Sequence, residues 1–269
     1  MLWLRAAIAG LSAVTVIACG PREPQTDAER LARGKELVHQ MSEHLAAARQ
    51  ITVSFRRARG VVQPSGQEAI QSSTIEVAVR RPDRLHSKEA GEKNLELWYD
   101  GKNLTAAFHL DKVFALAPMP ETLDRSMDAV AERYDAPFPA GDLFHSSAEK
   151  ALLSDSTTGG YAGREDVDGT ACHHLVFQDA GVDWELWLPV EGEPLPKRFR
   201  VVRRNRKGAP ISDLTFASWN LTPQVADAMF VPSVPEDYEG IAMLQRAAAI
   251  KSTGQESAEA RPSPPAGKQ

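Results

Sequence analysis

Apolar residues first recur at helical spacing, at Leu31, Val38, Met41 and Leu45, while Glu29, Arg30, Lys35, Glu36 and Glu43 fall on other faces. That pattern predicts an amphipathic helix. After Gln50 the period drops to two: Ile51, Val53 and Phe55 alternate with Thr52, Ser54 and Arg56, as in a half-buried strand. Ile75, Val77 and Val79 repeat the alternation and stop at Arg81-Pro82-Asp83, where proline removes a ladder donor. Leu95, Leu97 and Tyr99 run into Asp100-Gly101, a hairpin turn, and Leu104, Ala106 and Phe108 return from it. Residues 113–117 make a further strand, so this portion reads as an antiparallel meander.

Helical spacing then comes back. Leu123, Met127, Val130 and Tyr134 mark one amphipathic helix, and shorter helical stretches follow Pro137-Phe138-Pro139, around 141–144 and 148–153. Strands resume at 162–167, turn at Asp168-Gly169 and continue through 171–177. Trp184, Leu186 and Leu188 alternate with Glu185 and Trp187; Phe199 and Val201 alternate with Arg198, Arg200 and Val202; Leu214 and Phe216 alternate with Thr215 and Ala217. The expected count is about nine to eleven short strands, one leading helix and a mid-chain helical insertion. A sheet of that size must cover one apolar face. The expected fold is therefore mainly β (α+β): a large curved antiparallel sheet, an unclosed half-barrel, covered by the N-terminal helix and the helical insertion.

Before this pattern comes a short apolar run, residues 6–17, behind Arg5 and ending in Val16-Ile17-Ala18-Cys19-Gly20. Its charge, length and small-residue end read as a secretory signal with a processing site, and it is too short for a comfortable bilayer crossing. The Val16 to Cys19 box resembles the bacterial lipoprotein signal, in which cleavage precedes the cysteine and its thiol and new amino group are acylated. The resemblance implies that residues 1–18 are removed and that Cys19 is the lipid attachment point, holding the protein to a membrane by more than one acyl chain. Gly20, where Asp would signal inner-membrane retention, points to the periplasmic side of the outer membrane.

Residues 19–28 then read as a tether with Pro21, Pro24 and Thr26, residues 29–250 as a single domain, and residues 251–269 as a disordered tail without large apolar residues. With Cys19 acylated, Cys172 has no partner in the chain, and the fold is expected to stand without a disulfide. A formal net charge of −5 argues against nucleic acid as a general partner.

The chemistry-bearing clusters have plain explanations. In Cys172-His173-His174 strand alternation sends neighbours to opposite faces, so the three cannot share one metal ion, and a buried thiol beside a hydrogen-bonded histidine is expected. Asp166-Val167-Asp168-Gly169 lacks the remaining ligands of a calcium loop and reads as a hairpin turn. No Gly-x-Ser-x-Gly, His-Glu-x-x-His or phosphate-cradling glycine loop occurs, so neither an enzyme nor a cofactor is expected. The basic stretch from Lys197 to Lys207 is read as a solvated face, with Arg203, Arg204 and Arg206 as candidates for contact with anionic head groups. Phe55, Tyr99, Phe108, Trp184, Phe199 and Phe216 are ordinary core residues or, if the helices fail to fill the concave face, the lining of a ligand cavity.

Arg80-Arg81-Pro82-Asp83-Arg84-Leu85, Trp98-Tyr99-Asp100-Gly101-Lys102, Ala171-Cys172-His173-His174-Leu175 and Asp183-Trp184-Glu185-Leu186-Trp187-Leu188, with Pro194-Leu195-Pro196-Lys197-Arg198 after them, resemble in their order domain-of-unknown-function family 2092, predicted periplasmic proteins. That family is similar in outline to the Lol lipoprotein carriers and related lipid-binding half-barrels, although no cargo-binding residue of a carrier maps onto this sequence. The resemblance implies a membrane-anchored periplasmic lipoprotein that holds acyl chains of lipids or lipoproteins in an apolar cavity without catalysis. The alternative is an envelope scaffold with a filled core that binds protein partners.

Overall fold

The computed structural model describes residues 23–62, 67–91, 93–206 and 210–243. The signal, Cys19, Lys207 and the tail at 251–269 lie outside them. Helix α1 (Asp27–Ala46) begins at Thr26, within the stretch read as a tether. The Thr26 hydroxyl accepts from Glu29 N at 3.2 Å while Thr26 N donates to the Glu29 carboxylate at 3.0 Å, so two of the helix's orphan donors are satisfied reciprocally. These bonds, and a third from Gln25 N, hold the Glu29 carboxyl below its usual range. Leu37, Val38, Met41 and Leu45 form the buried stripe.

Six strands follow: β1 (Gln50–Val62), β2 (Glu68–Arg80), β3 (Arg84–Ala90), β4 (Leu95–Tyr99), β5 (Asn103–Phe108) and β6 (Val113–Pro118). Helices α2 (Leu123–Tyr134), α3 (Gly141–Phe144) and α4 (Ala148–Leu152) form the insertion. The second run comprises β7 (Thr158–Val167), β8 (Thr170–Asp179), β9 (Val182–Pro189), β10 (Arg198–Arg203) and β11 (Ile211–Asn220), with a 3-10 turn (Asp227–Phe230) and β12 (Glu239–Ile241) after it. All twelve strands form one sheet in the order β12-β6-β5-β4-β3-β2-β1-β11-β10-β9-β8-β7. Two antiparallel meanders are thus sewn together where β1 pairs with β11, Phe55 opposite Phe216. The sheet does not close, because β12 and β7 are its edges.

The expected half-barrel is therefore observed, with two strands that the alternation missed. In β3 the inward, buried positions are Leu85, Ser87 and Glu89, and two polar residues there erase the apolar signal. β12 is three residues long and pairs parallel to β6, a departure from the otherwise antiparallel sheet. The turns behave as read: Asp168 and Gly169 both take positive φ between β7 and β8, at 50° and 79°.

The helices treat the two meanders differently. Helix α1 lies against β7, α3 and α4. A Cβ on Gly160 would sit 2.3 Å from Arg30 O, and one on Gly34 2.8 Å from the Gly160 Cα, so helix and strand meet backbone to backbone. Beneath them Leu175, Phe177, Leu186 and Phe199 are at most 1 % exposed, and Phe177 stacks on Trp184 at 4.3 Å. Beneath α1 this half is closely packed. Over β2 to β5 the cover is α2, and there it leaves space.

A roofed cavity with one charged end

Strand alternation supplies the floor of that space. Ile75 of β2, Leu85 of β3, Leu97 and Tyr99 of β4, and Leu104 and Ala106 of β5 all face inward. Helix α2 supplies the roof with Leu123, Met127, Val130 and Tyr134, one helical stripe, continued by Phe138. Between floor and roof lies a cavity of about 530 Å³, a volume typical of small-molecule sites.

The roof hangs from its N-terminal end. Leu123 N donates to Pro82 O at 2.8 Å, and the Tyr99 and Ser126 hydroxyls both donate to Pro120 O, at 2.5 and 2.9 Å. Burial pushes the Tyr99 phenol up, keeping it a donor. Ser146 N and Oγ donate to the Asp124 carboxylate at 3.0 and 2.5 Å, tying α2 to the segment after α3, and Arg81 between β2 and β3 donates to Phe144 O of α3 at 2.6 Å. At the other end α2 stops at Asp135, in the left-handed region at φ 54°, which pairs with Arg206 from the β10–β11 connection. Arg206 also donates to Asp135 O at 3.2 Å, so it grips the helix end through backbone and side chain.

The charged groups of the lining gather at one end of the cavity. Beyond Phe55 the inward positions of β1 become Arg57 and Arg59, and beyond Leu85 those of β3 become Ser87 and Glu89. Arg57 Nη2 lies 2.5 Å from Glu89 Oε1, with the two side chains 14 % and 8 % exposed. Arg59 donates to Gln71 Oε1 at 3.1 Å, and Lys93 lines the same end.

The model of the family described as "Predicted periplasmic protein (DUF2092)" matches residues 34–244, which span the sheet and the roof alike. The chain belongs to that family. No curated protein matches it. Among solved structures it is similar to an uncharacterized conserved protein of Thermus thermophilus, at 12 % identity over 77 % of this chain and 98 % of that one, with a TM-score of 0.46. It is also similar to the Mycobacterium tuberculosis lipoprotein LppX, at 12 % identity, 71 % and 97 % coverage and a TM-score of 0.43. A LolA superfamily protein of Nitrosomonas europaea gives 11 % identity, 74 % and 98 % coverage and a TM-score of 0.39.

In this family member the six aromatic candidates separate. Tyr99 and Phe108 line the cavity. Trp184 and Phe199 line a second, smaller hollow of about 300 Å³ on the α1 side, with Asp142 and Arg203. Burial pushes the Asp142 carboxyl up and the Arg203 guanidinium down in that hollow. Phe55 and Phe216 face each other at 5.3 Å across the seam and line neither space. Arg204 Nε lies 2.9 Å from Asp183 Oδ1, and Arg206 is taken by Asp135. With Arg203 beside Asp142, all three candidate head-group arginines have acidic neighbours.

Alternation holds at Cys172-His173-His174. His173 turns inward against the Tyr161 ring, and burial pushes its imidazole pKa down. His174 lies outside, stacked on Trp187 at 4.3 Å with Nε2 3.0 Å from Glu185 Oε2. Among the described residues no group of three or more His, Cys, Asp or Glu is placed to hold a metal ion.

Sequence reasoning missed the roof stripe as lining, and it missed Arg57, Arg59 and Glu89. A signal for the arginines was present: period two runs unbroken from Ile51 to Arg59 and changes from apolar to cationic after Phe55.

Proposed function

We propose that this protein binds an acyl chain in the cavity beneath α2, without catalysis, as a carrier or receptor of lipids or lipoproteins in the periplasm. The observation that carries the reading is the cavity itself: about 530 Å³ bounded by the apolar floor of β2 to β5 and the apolar stripe of α2. Apolar walls favour any occupant that removes them from water, at about 25 cal/mol per Å². Transfer then requires only differential burial and movement of the roof, whose far end is fastened by Arg206 and Asp135. The lining splits the candidates: Tyr99 and Phe108 would touch the ligand, whereas Phe55 and Phe216 would support the seam. Anchoring through acylated Cys19, on the periplasmic side of the outer membrane, completes the proposal and follows from the signal-like N-terminus.

The test is native mass spectrometry of the Cys19-free soluble protein purified without detergent, with lipid extraction alongside. A bound mass that extracts as lipid is expected. A clean apo mass, with added fatty acids and lipopeptides also failing to bind, would overturn the proposal in favour of a scaffold for protein partners.

A further inference from the structure

The smaller hollow, of about 300 Å³, lies where β9 and β10 meet α3 and α4, and it shares no lining residue with the larger cavity. Alternation along β10 sends Phe199, Val201 and Arg203 to this side of the sheet. Register sets Val201 opposite Trp184 and Arg203 opposite Val182 of β9. Asp142 reaches the same hollow from α3. An aromatic and aliphatic wall therefore carries a guanidinium at its end, with a carboxylate across from the strands.

Arg203 stands apart from the other arginines of its stretch. Arg198 pairs with Asp213, Arg200 with Glu185, Arg204 with Asp183 and Arg206 with Asp135. Among the described residues the Arg203 side chain has neither a hydrogen bond nor an ion pair. The Asp142 carboxylate likewise has no partner there beyond its own backbone N–H. The two act on each other electrostatically without meeting as an ion pair. The other charges that bear on them are His145, 3.7 Å from Asp128, and Arg206 with Asp135. Asp179 also lines the hollow, but three hydroxyls and the Ala180 N–H already fill its carboxylate.

Burial is the largest influence on both unmatched groups, raising the carboxyl and lowering the guanidinium, so neither charge is fully compensated from within the chain. Polar groups withdrawn from water ordinarily find partners. A small ion of one sign would satisfy only one of these two. A molecule that carries an ammonium and a carboxylate on one short skeleton satisfies both, through charge-assisted hydrogen bonds. The volume, at the small end of ligand sites, suits such a molecule better than a long chain.

We propose that this hollow is a second ligand site, for an apolar α-amino acid. Its carboxylate lies on Arg203, its ammonium on Asp142 and its side chain against Val201 and Phe199.

The test is equilibrium binding of tritiated leucine, valine and phenylalanine to the full chain in phosphatidylcholine nanodiscs, read by scintillation proximity. Saturable binding of at least one is expected. Its amine and acid analogues, each lacking one of the two charges, should compete only at about tenfold higher concentration than the amino acid itself. Lauric acid, directed at the larger cavity, should not displace it. Asp142→Asn and Arg203→Gln should each weaken binding about tenfold, with urea unfolding to show that the variants fold. The analogue comparison needs no variant and decides the matter if a substitution unfolds the chain. No saturable binding of any of the three, equal competition by the one-charge analogues, displacement by lauric acid, or unchanged affinity in either folded variant would overturn the inference.

Discussion

The two meanders are built from the same alternation, yet the first holds a cavity of about 530 Å³ beneath α2, whereas the second is closely packed beneath α1 and has a smaller hollow of about 300 Å³ beside α3 and α4. On the β7 to β10 side the cover is a twenty-residue helix that reaches the strands through two glycines, Gly34 and Gly160, and leaves little room above Leu175 and Phe177. On the β2 to β5 side the cover is a twelve-residue helix hung from Pro82 and Pro120, and its side chains meet the floor across about 530 Å³. What differs is how closely a backbone is allowed to approach. Small residues at a contact bring elements together, whereas Leu123, Met127, Val130 and Tyr134 hold α2 away.

Deleting the same atoms on each side should expose that contrast. Leu175→Ala on the closely packed side is expected to cost about 3–5 kcal/mol, because it opens a new void in a closed core. Leu97→Ala widens a space that already exists and should cost about 1 kcal/mol. Urea unfolding of both variants measures the difference, and equal costs would break the comparison.

Adding atoms should reverse the preference. Gly160→Ala places a methyl group against Arg30 O at a φ of 138° and is expected to lose about 2–3 kcal/mol. Ala106→Phe, by contrast, grows into the cavity and should stay within about 1 kcal/mol of the parent in stability while losing most acyl-chain binding. Full retention of binding by the folded variant would place the ligand elsewhere.

The smallest effect lies at a turn beside the smaller hollow. The hydroxyls of Ser154, Ser156 and Thr157 and the Ala180 N–H all donate to Asp179, holding its carboxyl well below the usual range. A carboxyl depressed in the folded state contributes stability above its unfolded value and loses it as pH falls through the folded one. Asp179→Asn should therefore cost under about 1 kcal/mol at neutral pH, since the group is exposed. Its deficit should narrow as the pH is taken below the ordinary carboxylate value. Chemical unfolding at neutral and acid pH checks the sign, and a deficit that widened in acid would refute the assignment.

Legibility in the sequence followed the range of the interactions. Helix α2 was readable from Leu123, Met127, Val130 and Tyr134, and β1 from Ile51, Val53 and Phe55, because a period is a local property. β3 was not, because Ser87 and Glu89 occupy inward positions that only the partner Arg57 and the cavity make tolerable. β12 could not be found either: three residues carry no period, and Gly240 and Ile241 become a strand only beside Phe114 and Ala115. The aromatic candidates were selected by face, and face alone did not separate the seam at Phe55 and Phe216 from the cavity wall at Tyr99 and Phe108.

The sequence by itself determined the elements, which face of each is apolar, the hairpin turns and the need to cover one side of a large sheet. Those properties depend on dihedral preference and side-chain period within a few residues. Tertiary structure alone decided that β1 joins β11, that Arg57 meets Glu89 and that α2 stands off its floor while α1 touches β7. Each of these is fixed by pairings between distant segments and by the depth at which a helix can seat, neither of which a local pattern encodes.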